Sequence, residues 1–404
     1  MDVFLSSQMG LLTVLVLMLF IGEVISIKTK AWIPSVFVTA VLFLLAYWTF
    51  LPKDAVAKAG IPVATATMMM ALLVTNMGTL LSVKELMRQW KIIVIALGGI
   101  AGITVALLYG AVHLLDWNTV VVATPPLVGG IVSAIIMSNG AKELGLTDLS
   151  VLAILIYVIQ GFAGYPLTSV MLKKEGNRIL NKYRKGEIIK TDETVDPTNV
   201  DDSTPARMFQ NMPSVFNTAY FKFFRLAFMA ALAFLASAGF KALGVNVNAF
   251  VLCLLFGIIG KTIGFLETHN LKSAGGFGFA LLALMLFIFD TLKQATPEMV
   301  VNLMYTLLVI IVIGVIGMYI FSAIIGRMVG VSKEMAFSAS LTALYGFPAD
   351  YVITMEVITS LTKDEDERAV LTHHMLPPML VAGFITVTIV SVILAGIMVN
   401  WIKV

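Results

Sequence analysis

The sequence predicts an all-α polytopic membrane protein made of two inverted repeats, each with five transmembrane helices and one re-entrant hairpin. Three observations predict this fold class. Hydrophobic residues make up 59% of the 404 residues and charged residues only 13%. Apolar runs of about 20 residues, the length that crosses a bilayer, recur from end to end. Two apolar segments in matching positions also contain prolines and glycines, which interrupt a simple spanning helix.

The apolar segments divide evenly around one polar stretch. They lie near 9–27, 31–51, 61–82, 92–115, 117–140, 148–172, 219–240, 246–265, 274–292, 298–326, 332–361 and 372–401. The first segment lacks a basic leader and a small-residue cleavage site, so we expect a retained span and not a signal peptide. We therefore divide the chain into a first membrane repeat, 1–172, a cytoplasmic linker, 173–218, and a second, inverted repeat, 219–404.

The basic residues predict the orientation in the membrane. If segments 117–146 and 332–361 each enter and leave on the same side, both termini lie outside and the linker lies inside. Of the 27 Lys and Arg residues, only Lys53, Lys58, Lys142, Lys241, Lys293 and Lys403 then lie outside. Full crossing by every segment leaves more of them outside. Because Lys and Arg favour the cytoplasmic side, the re-entrant arrangement is preferred.

Two stretches in matching positions of the halves share a pattern. "ALLVTNMGTLLSVKELMRQWKIIVIALGG" and "LMLFIFDTLKQATPEMVVNLMYTLLVIIVIG" each hold a polar interruption, a short loop with a glutamate (Glu85 or Glu298) and an Ile/Val-rich span. The interrupted segments "WNTVVVATPPLVGGIVSAIIMSNGAKELGL" and "SKEMAFSASLTALYGFPADYVITMEVITSLT" also occupy equivalent places. This correspondence supports an inverted repeat, the organisation in which paired broken segments mark a binding site.

The two breaks are the predicted binding site for a substrate. Pro125 and Pro126 lack amide donors, Gly129 and Gly130 permit unusual dihedrals, and the second break is "YGFPAD". Broken backbone at membrane depth must line a protein-buried cavity, and half-helix N-termini attract anions. No Arg or Lys lies at either break, so we expect a small carboxylate. The candidate contacts are Thr124, Pro125, Gly129, Gly130, Ser133, Thr342, Tyr345 and Gly346.

Carboxylates and hard oxygen donors within the apolar segments are candidates for binding a coupling ion. Asp290 and Asp350 are ionisable groups in such segments, which makes them functional candidates. Thr75 and Asn76 supply oxygen donors that suit sodium, and we expect a sodium ion at Thr75, Asn76 and Asp350. In the alternative interpretations Asp350 caps a half-helix, Asp290 is an interfacial residue beside Lys293, and Thr75 and Asn76 form interhelical hydrogen bonds.

Other polar residues predict little chemistry. Gln160 and Tyr165 interrupt a span, Glu356 faces either the cavity or the cytoplasmic exit, and the pair His373–His374 is typical of a solvated interface. The single cysteine excludes an intramolecular disulfide. There is no nucleotide-binding loop, no His-Glu-x-x-His motif and no basic stripe with interleaved aromatics. We therefore expect neither an enzyme, nor direct ATP drive, nor a nucleic-acid partner.

The predicted arrangement resembles the bacterial sodium:glutamate symporter family and, more loosely, the wider group that contains the bile-acid and citrate sodium symporters. The likeness is carried by five spans and a re-entrant loop per half, outside termini and a cytoplasmic linker. Within the loops, "VGG" at 128–130 approaches the family's glycine-rich signature, whereas the second loop has "YGFPAD".

This resemblance implies sodium-coupled symport of glutamate or another small carboxylate by an elevator-type movement, in a homodimer of the bacterial inner membrane, with no cofactor besides the coupling ion. The alternative is a proton-coupled carrier or an exporter of another small organic solute, and less so a channel.

Overall fold

The computed structural model describes residues 7–79, 89–187, 207–243, 249–386 and 390–403. These residues form helices, turns and loops, with no strand among them. Within them, the helices that are long and apolar enough to cross a membrane are Gln8–Lys28, Trp90–His113, Thr147–Arg184, Ala219–Ala242, Phe277–Gln294 and Met304–Val329. The all-α class, with apolar helices suited to a multi-pass membrane protein, is confirmed.

The described helices, in chain order, are α1 Gln8–Lys28, α2 Ser35–Thr49, α3 Ala55–Lys58, α4 Val63–Gly78, α5 Trp90–Tyr109, α6 Trp117–Val128, α7 Ile131–Glu143, α8 Thr147–Ile159, α9 Gly161–Arg184, α10 Ala219–Ala242, α11 Ala249–Thr262, α12 Asn270–Ser273, α13 Phe277–Asp290, α14 Pro297–Asn302, α15 Met304–Val329, α16 Lys333–Leu341, α17 Ala349–Leu361, α18 Glu365–Ile385 and α19 Ser391–Met398. Short 3₁₀ turns include Thr342–Leu344 and Val399–Trp401. Glu85 and linker residues 188–206 lie outside the described residues.

The chain packs as two compact units. The smaller unit contains Met1–Leu12, Asp54–Arg88 and Thr191–Ile288. The larger unit contains Thr13–Lys53, Gln89–Lys190 and Phe289–Val404. Each unit draws segments from both predicted repeats, so the contacts group the chain differently from its order in sequence. The division into sequence repeats stays a prediction.

Glycines bring two helices of the smaller unit together. A methyl group on Gly257 of α11 would collide with the backbone carbonyl of Thr75 in α4, and one on Gly78 would collide with that of Leu254. Small residues allow helix backbones to approach this closely. α10 packs against α4, α11 and α12, which completes a compact helical core around this crossing.

The smaller unit also contains a buried ion cluster between α10 and the loop that follows α11. Arg225 is fully buried, and its Nη2 donates to Glu267 Oε1 at 2.8 Å and to Asn217 Oδ1 at 3.1 Å. Lys222 Nζ lies 3.4 Å from Glu267 Oε2. The ring centroids of Phe209 and Phe221 lie 5.0 and 4.7 Å from the guanidinium carbon of Arg225. The cluster anchors the loop to α10, because a buried charge needs both a counter-ion and hydrogen bonds.

In the larger unit, α5 and α15 pack along glycines. A methyl group on Gly102 would collide with the carbonyl of Gly317, and one on Gly317 with the carbonyl of Gly102. α16 also packs on α5, where Ser340 Oγ donates to the Ile95 carbonyl at 3.3 Å. This helix pair forms a rigid wall beside the broken helices described below.

The helix α9 extends well past the predicted start of the linker. The sequence places that boundary at Lys173, but α9 continues to Arg184. Lys173 and Glu175 are buried, at 6% and 3% exposure. Glu175 accepts hydrogen bonds from Arg178 Nε at 2.9 Å and from Ser332 Oγ at 2.8 Å. Polarity therefore marks buried contacts of the helix here, and not the beginning of a solvated connection.

Candidate functional site

The first predicted break separates α6 from α7. Pro125 and Pro126 lie inside α6, where each removes a backbone donor, and all of α6 from Thr119 onward is buried. Gly129 and Gly130 follow with φ of 113° and 84°, values that favour glycine. Proline thus weakens the last turn of α6, and the two glycines redirect the chain into α7.

The arms α6 and α7 double back on each other. At the outer end of α6, Trp117 Nε1 donates to the carbonyl of Trp401 at 3.0 Å. At the outer end of α7, Gly140 faces the side chain of Val399, whose Cβ lies 3.7 Å from a Cβ built on the glycine. Because both outer ends contact the same short C-terminal segment, α6 and α7 form a hairpin with the Gly129–Gly130 break at its tip.

The second break has the same form. α16 ends in the 3₁₀ turn Thr342–Leu344, the chain passes through Gly346 at φ 67°, and α17 begins at Ala349. The hydroxyl of Tyr345 lies 2.8 Å from that of Thr168 in α9, and Gly164 of α9 faces the same tyrosine ring. The tip of this second pair of arms therefore lies beside the middle of α9.

The outer ends of the second pair lie near the C-terminal end of α9. Ser332, the N-cap of α16, bonds Glu175, and Leu361 at the end of α17 packs on Gly176. Helical rise places Glu175 about 16 Å along α9 from Gly164. With both ends there and the tip about 16 Å away, α16 and α17 are a second hairpin.

The two hairpins open toward opposite ends of one helix. Gln160 joins α8 to α9 with φ −54° and ψ −32°, so that 147–184 form an almost uninterrupted helix. At its start, Leu149 packs on the cluster that holds the outer ends of α6 and α7. At its end lie the outer ends of α16 and α17. α6 also contacts the turn Thr342–Leu344, which brings the first hairpin to the second break.

The side chains predicted to bind substrate are brought together only in part, as members of these two tips. Thr124, Pro125, Ser133 and Thr342 are buried. The three hydroxyl groups among them donate within their own segments. Thr124 donates to the Val120 carbonyl at 2.7 Å, Ser133 to the Gly129 carbonyl at 2.7 Å and Thr342 to the Ala339 carbonyl at 2.6 Å. Each hydroxyl oxygen keeps acceptor capacity, but these groups present no free O–H donor in this state.

Asp350 is a buried carboxyl group of the larger unit with one oxygen that has no partner among the described residues. It is fully buried, and its Oδ1 accepts from the Tyr351 amide at 2.6 Å. Its Oδ2 has no hydrogen-bond partner among the described residues. A methyl group on Gly383 of α18 would overlap Oδ2, so this oxygen packs against the α-carbon of the glycine. Asp350 thus caps the start of α17 through one oxygen and leaves the other unused.

A second buried polar atom without a partner lies one turn beyond the tip of the second hairpin. Gln160, Gly164 and Thr168 are spaced four apart and share one face of α9, the face that Tyr345 covers. Gln160 is 1% exposed, and its Oε1 has no partner among the described residues. The rings of Tyr165 and Tyr345 lie 5.3 Å apart. Both polar interruptions of this span that the sequence indicates therefore lie at the second break.

A cavity of about 170 Å³ with a mostly apolar lining and a few polar side chains lies beside the outer half of the first hairpin. Ser138 of α7 and Ser150 of α8 line it, with their hydroxyl oxygens 2.7 Å apart, and Gln294 and Met299 form another wall. The cavity lies toward the outer end of the arms and not at the tip.

Thr75 and Asn76 belong to the smaller unit, where the side chain of Asn76 binds the start of α12 and that of Thr75 bonds within α4. Asn76 Oδ1 accepts from the Leu271 amide at 2.8 Å, one of the free donors at the start of α12. Thr75 Oγ1 donates to the Ala71 carbonyl at 2.8 Å. Asp350 belongs to the larger unit, so a shared sodium site of these three residues stays a prediction.

Asp290 is paired within the protein. Tyr47 donates its hydroxyl to Oδ1 at 2.7 Å, and Lys293 Nζ lies 2.5 Å from Oδ2. Both carboxylate oxygens therefore have partners, and the coupling-ion role of Asp290 stays a prediction.

Glu356 lies on the outer half of α17 and caps another helix. Its Oε2 accepts from the Ser35 amide at 3.0 Å and from Ser26 Oγ at 2.9 Å. Ser35 is the first residue of α2, where free amides favour a carboxylate. The pair His373–His374 belongs to no group of three or more metal-binding side chains among the described residues.

Sequence reasoning missed Gly383 and Glu175. A glycine in an apolar span carries no signal of the carboxylate that packs on it. Glu175 was assigned to the linker because its neighbours are charged. The signal that existed was spacing: Gln160, Gly164, Thr168 and Gly176 recur at intervals of four and eight, the pattern of one helix face.

Comparison with known proteins finds no matching family model and no matching curated sequence.

Proposed function

We propose that this chain is a secondary active transporter that carries a small carboxylate, such as glutamate, in symport with a cation, and that the two hairpin tips form its site. The observation that supports this most is the pair of buried helix breaks whose arms open at opposite ends of the α8–α9 helix. Interrupted helices in paired positions, with their broken ends buried, are the usual construction of carrier sites.

In a bilayer, the α8–α9 helix spans the membrane and the hairpins enter from opposite faces. That gives two inverted repeats of five transmembrane helices and one re-entrant hairpin each. The linker end of α9 lies in the cytoplasm and both termini lie outside. We place the protein in the bacterial inner membrane, as a homodimer whose remaining apolar surface contacts lipid, with alternating access by an elevator-type movement of the substrate-carrying part.

The substrate is anionic in this proposal because of the helix ends at the breaks. α7 begins at Ile131, directly after Gly130, so that its first backbone amides lie at the tip, and its first turn has no acidic residue. Such a terminus attracts a carboxylate, with each interaction contributing on the order of 1 kcal/mol. At the other tip, Asp350 occupies the start of α17. The first hairpin is thus assigned to the anion and the second to the cation, with sodium expected from the family resemblance and a proton as the alternative.

The test is uptake into liposomes that contain the purified protein. Labelled L-glutamate, L-aspartate, succinate and citrate are offered under an inward sodium gradient, an inward proton gradient, or neither. We expect accumulation of at least one carboxylate above empty liposomes, and its collapse when an ionophore dissipates the driving gradient. Accumulation of none of them under either gradient, or unitary currents in planar bilayers, contradicts the proposal.

A further inference from the structure

The carboxyl group of Asp350 has surroundings that suit a neutral acid. It is fully buried. Within the described ion pairs no Lys, Arg or His lies within 4.0 Å of it. An ionised carboxylate that is buried without a counter-ion is strongly disfavoured, and such groups take up a proton instead. Its one hydrogen bond, from the Tyr351 amide to Oδ1, leaves Oδ2 unused.

The basic side chains of the helices around Asp350 lie away from the second break. On α9 they begin at Lys173, nine residues after Gly164, and on α18 Arg368, His373 and His374 lie nine or more residues before Gly383.

The titratable groups at the break are phenols. Tyr165 belongs to α9, and Tyr345 belongs to the break and bonds Thr168 of α9. α18 faces Asp350 with Gly383, and next to it Phe384 stacks on Phe347 at 5.4 Å.

The remaining neighbours are hydroxyls and acids. The turn before the break contributes Thr342, whose O–H is committed to Ala339. Further along α17 the charged group is Glu356, which bonds Ser26 and Ser35 on the α1–α2 side, and Glu23 lies near Glu356.

The packing at Oδ2 is also poor for sodium. A hard cation needs several oxygen ligands around it. Oδ2 instead packs on the α-carbon of Gly383, so closely that a single added methyl group would overlap it. A metal ion bound at Oδ2 would have to displace α18 at this point, whereas a proton requires no extra space.

We propose that Asp350 carries the coupling proton of this transporter, as a neutral carboxylic acid in the closed state seen here. The inference rests on the proposed function and names its coupling ion. When the second hairpin opens to water, the O–H bond of the acid breaks, the proton passes to a water molecule, and the electron pair stays on the carboxylate. Rebinding of a proton from the other side restores the neutral acid, so net transport moves one proton with the substrate.

The state of Asp350 is measured without any substrate. Infrared spectra of the purified protein at neutral pH should show the C=O stretch of a buried carboxylic acid. Asp350→Asn should abolish this band and Asp350→Glu should shift it. Exchange of choline chloride for sodium chloride should leave the wild-type band unchanged. Absence of the band, its persistence in Asp350→Asn, or its loss on addition of sodium overturns the proposal.

Transport of labelled L-glutamate separates this inference from the proposed function. Asp350→Asn cannot release a proton, so accumulation of glutamate driven by a proton gradient should fall by about tenfold or more relative to wild type. A sodium requirement for exchange in wild type overturns the proton assignment while leaving the carrier function intact. If no carboxylate enters under any gradient although the acid band is present and assigned, the proposed function fails and the neutral acid stands.

Discussion

Arg225 shows at the scale of one residue how a full charge is kept inside an apolar bundle. Its guanidinium is fully buried: Nη2 donates to Glu267 and Asn217 and Nη1 to the Phe265 carbonyl, whereas Nε has no partner among the described residues. Burial alone would raise the pKa of Glu267, but the hydrogen bonds from Arg225 and Asn217, with the charges of Arg225 and Lys222, hold that pKa below its usual value. The carboxylate therefore stays ionised and the loop after α11 stays attached to α10.

We expect Glu267→Gln to destabilise the protein by about 3–5 kcal/mol, because it leaves a buried guanidinium without its counter-ion. The matched control is Asp54→Asn, which removes the exposed pair with Lys58, 2.9 Å apart, and should cost under about 1 kcal/mol. Thermal unfolding in detergent measures both. Equal effects of the two substitutions contradict the role given to the cluster.

The same carboxylate predicts a pH dependence. Because the pKa of Glu267 is lowered on folding, its stabilisation is complete above the unfolded-state value of about 4.3 and is lost as the pH falls through the lower folded-state value. The stability difference between wild type and Glu267→Gln should therefore be constant from neutral pH down to that region and shrink below it. A difference that changes around neutral pH shows that another group is responsible.

Gly130 is the residue on which the substrate proposal depends most. Gly130→Ala adds one methyl group at φ 84°, and Gly145→Ala adds one at φ 77° in open space away from the tip. Gly145→Ala carries a backbone penalty of about 1–2 kcal/mol; Gly130, at φ 84° and ψ 131°, lies outside the left-handed helical region, so Gly130→Ala should lower the melting temperature more, and uptake is compared per amount of folded protein. We expect only Gly130→Ala to reduce carboxylate uptake, by about tenfold or more. Equal uptake by the two variants removes the first tip from the site.

At the scale of elements, a broken helix is a hairpin only if its two arms return to the same place. For α6 and α7 that place is the C-terminal segment around Val399. Its Cβ lies 3.7 Å from a Cβ built on Gly140, within the range of a disulfide. The geometry therefore gives a direct test of the first hairpin.

With Cys253 replaced by alanine, the pair Gly140→Cys and Val399→Cys should form a disulfide on mild oxidation. The pair Gly145→Cys and Val399→Cys should not, because nothing lies within 4 Å of a Cβ at Gly145. Gel mobility after cleavage of the loop between the two sites reads out the bond. Absence of the first crosslink, or equal formation of both, contradicts the hairpin.

The positions of both helix breaks can be predicted from the sequence, because they contain residues that are disfavoured inside helices. Pro125, Pro126, Gly129 and Gly130 predict the first tip, and "YGFPAD" predicts the second, including Asp350. The partners of those tips depend on tertiary packing and leave no local signal: Gly383 is one glycine in an apolar span, and Glu175 resembles a linker residue. The bond of Asn76 Oδ1 with the Leu271 amide likewise depends on a loop nearly 200 residues away and leaves no local signal.

Across the whole molecule, the α8–α9 helix is the element that relates the two hairpins to each other. Its two ends lie beside the outer ends of different hairpins, so a membrane normal drawn along this helix places the hairpins on opposite faces. Hydropathy alone does not predict that relation, because apolar segments 117–146 and 332–361 are equally compatible with full crossing. The positive charges favour the re-entrant arrangement. The contacts at the two ends of α8–α9 show where the outer ends of each hairpin lie.

The most direct test of the opposed hairpins is the labelling of single cysteines in intact cells. Asp148→Cys marks the outer end of the first hairpin, and Lys363→Cys marks that of the second. Both positions are exposed. Position 363 is chosen over 364 because the carboxylate of Asp364 caps α18. In a Cys253→Ala background, a membrane-impermeant maleimide should label residue 148 from outside and residue 363 only after the cells are permeabilised. Labelling of both positions from the same side contradicts the account.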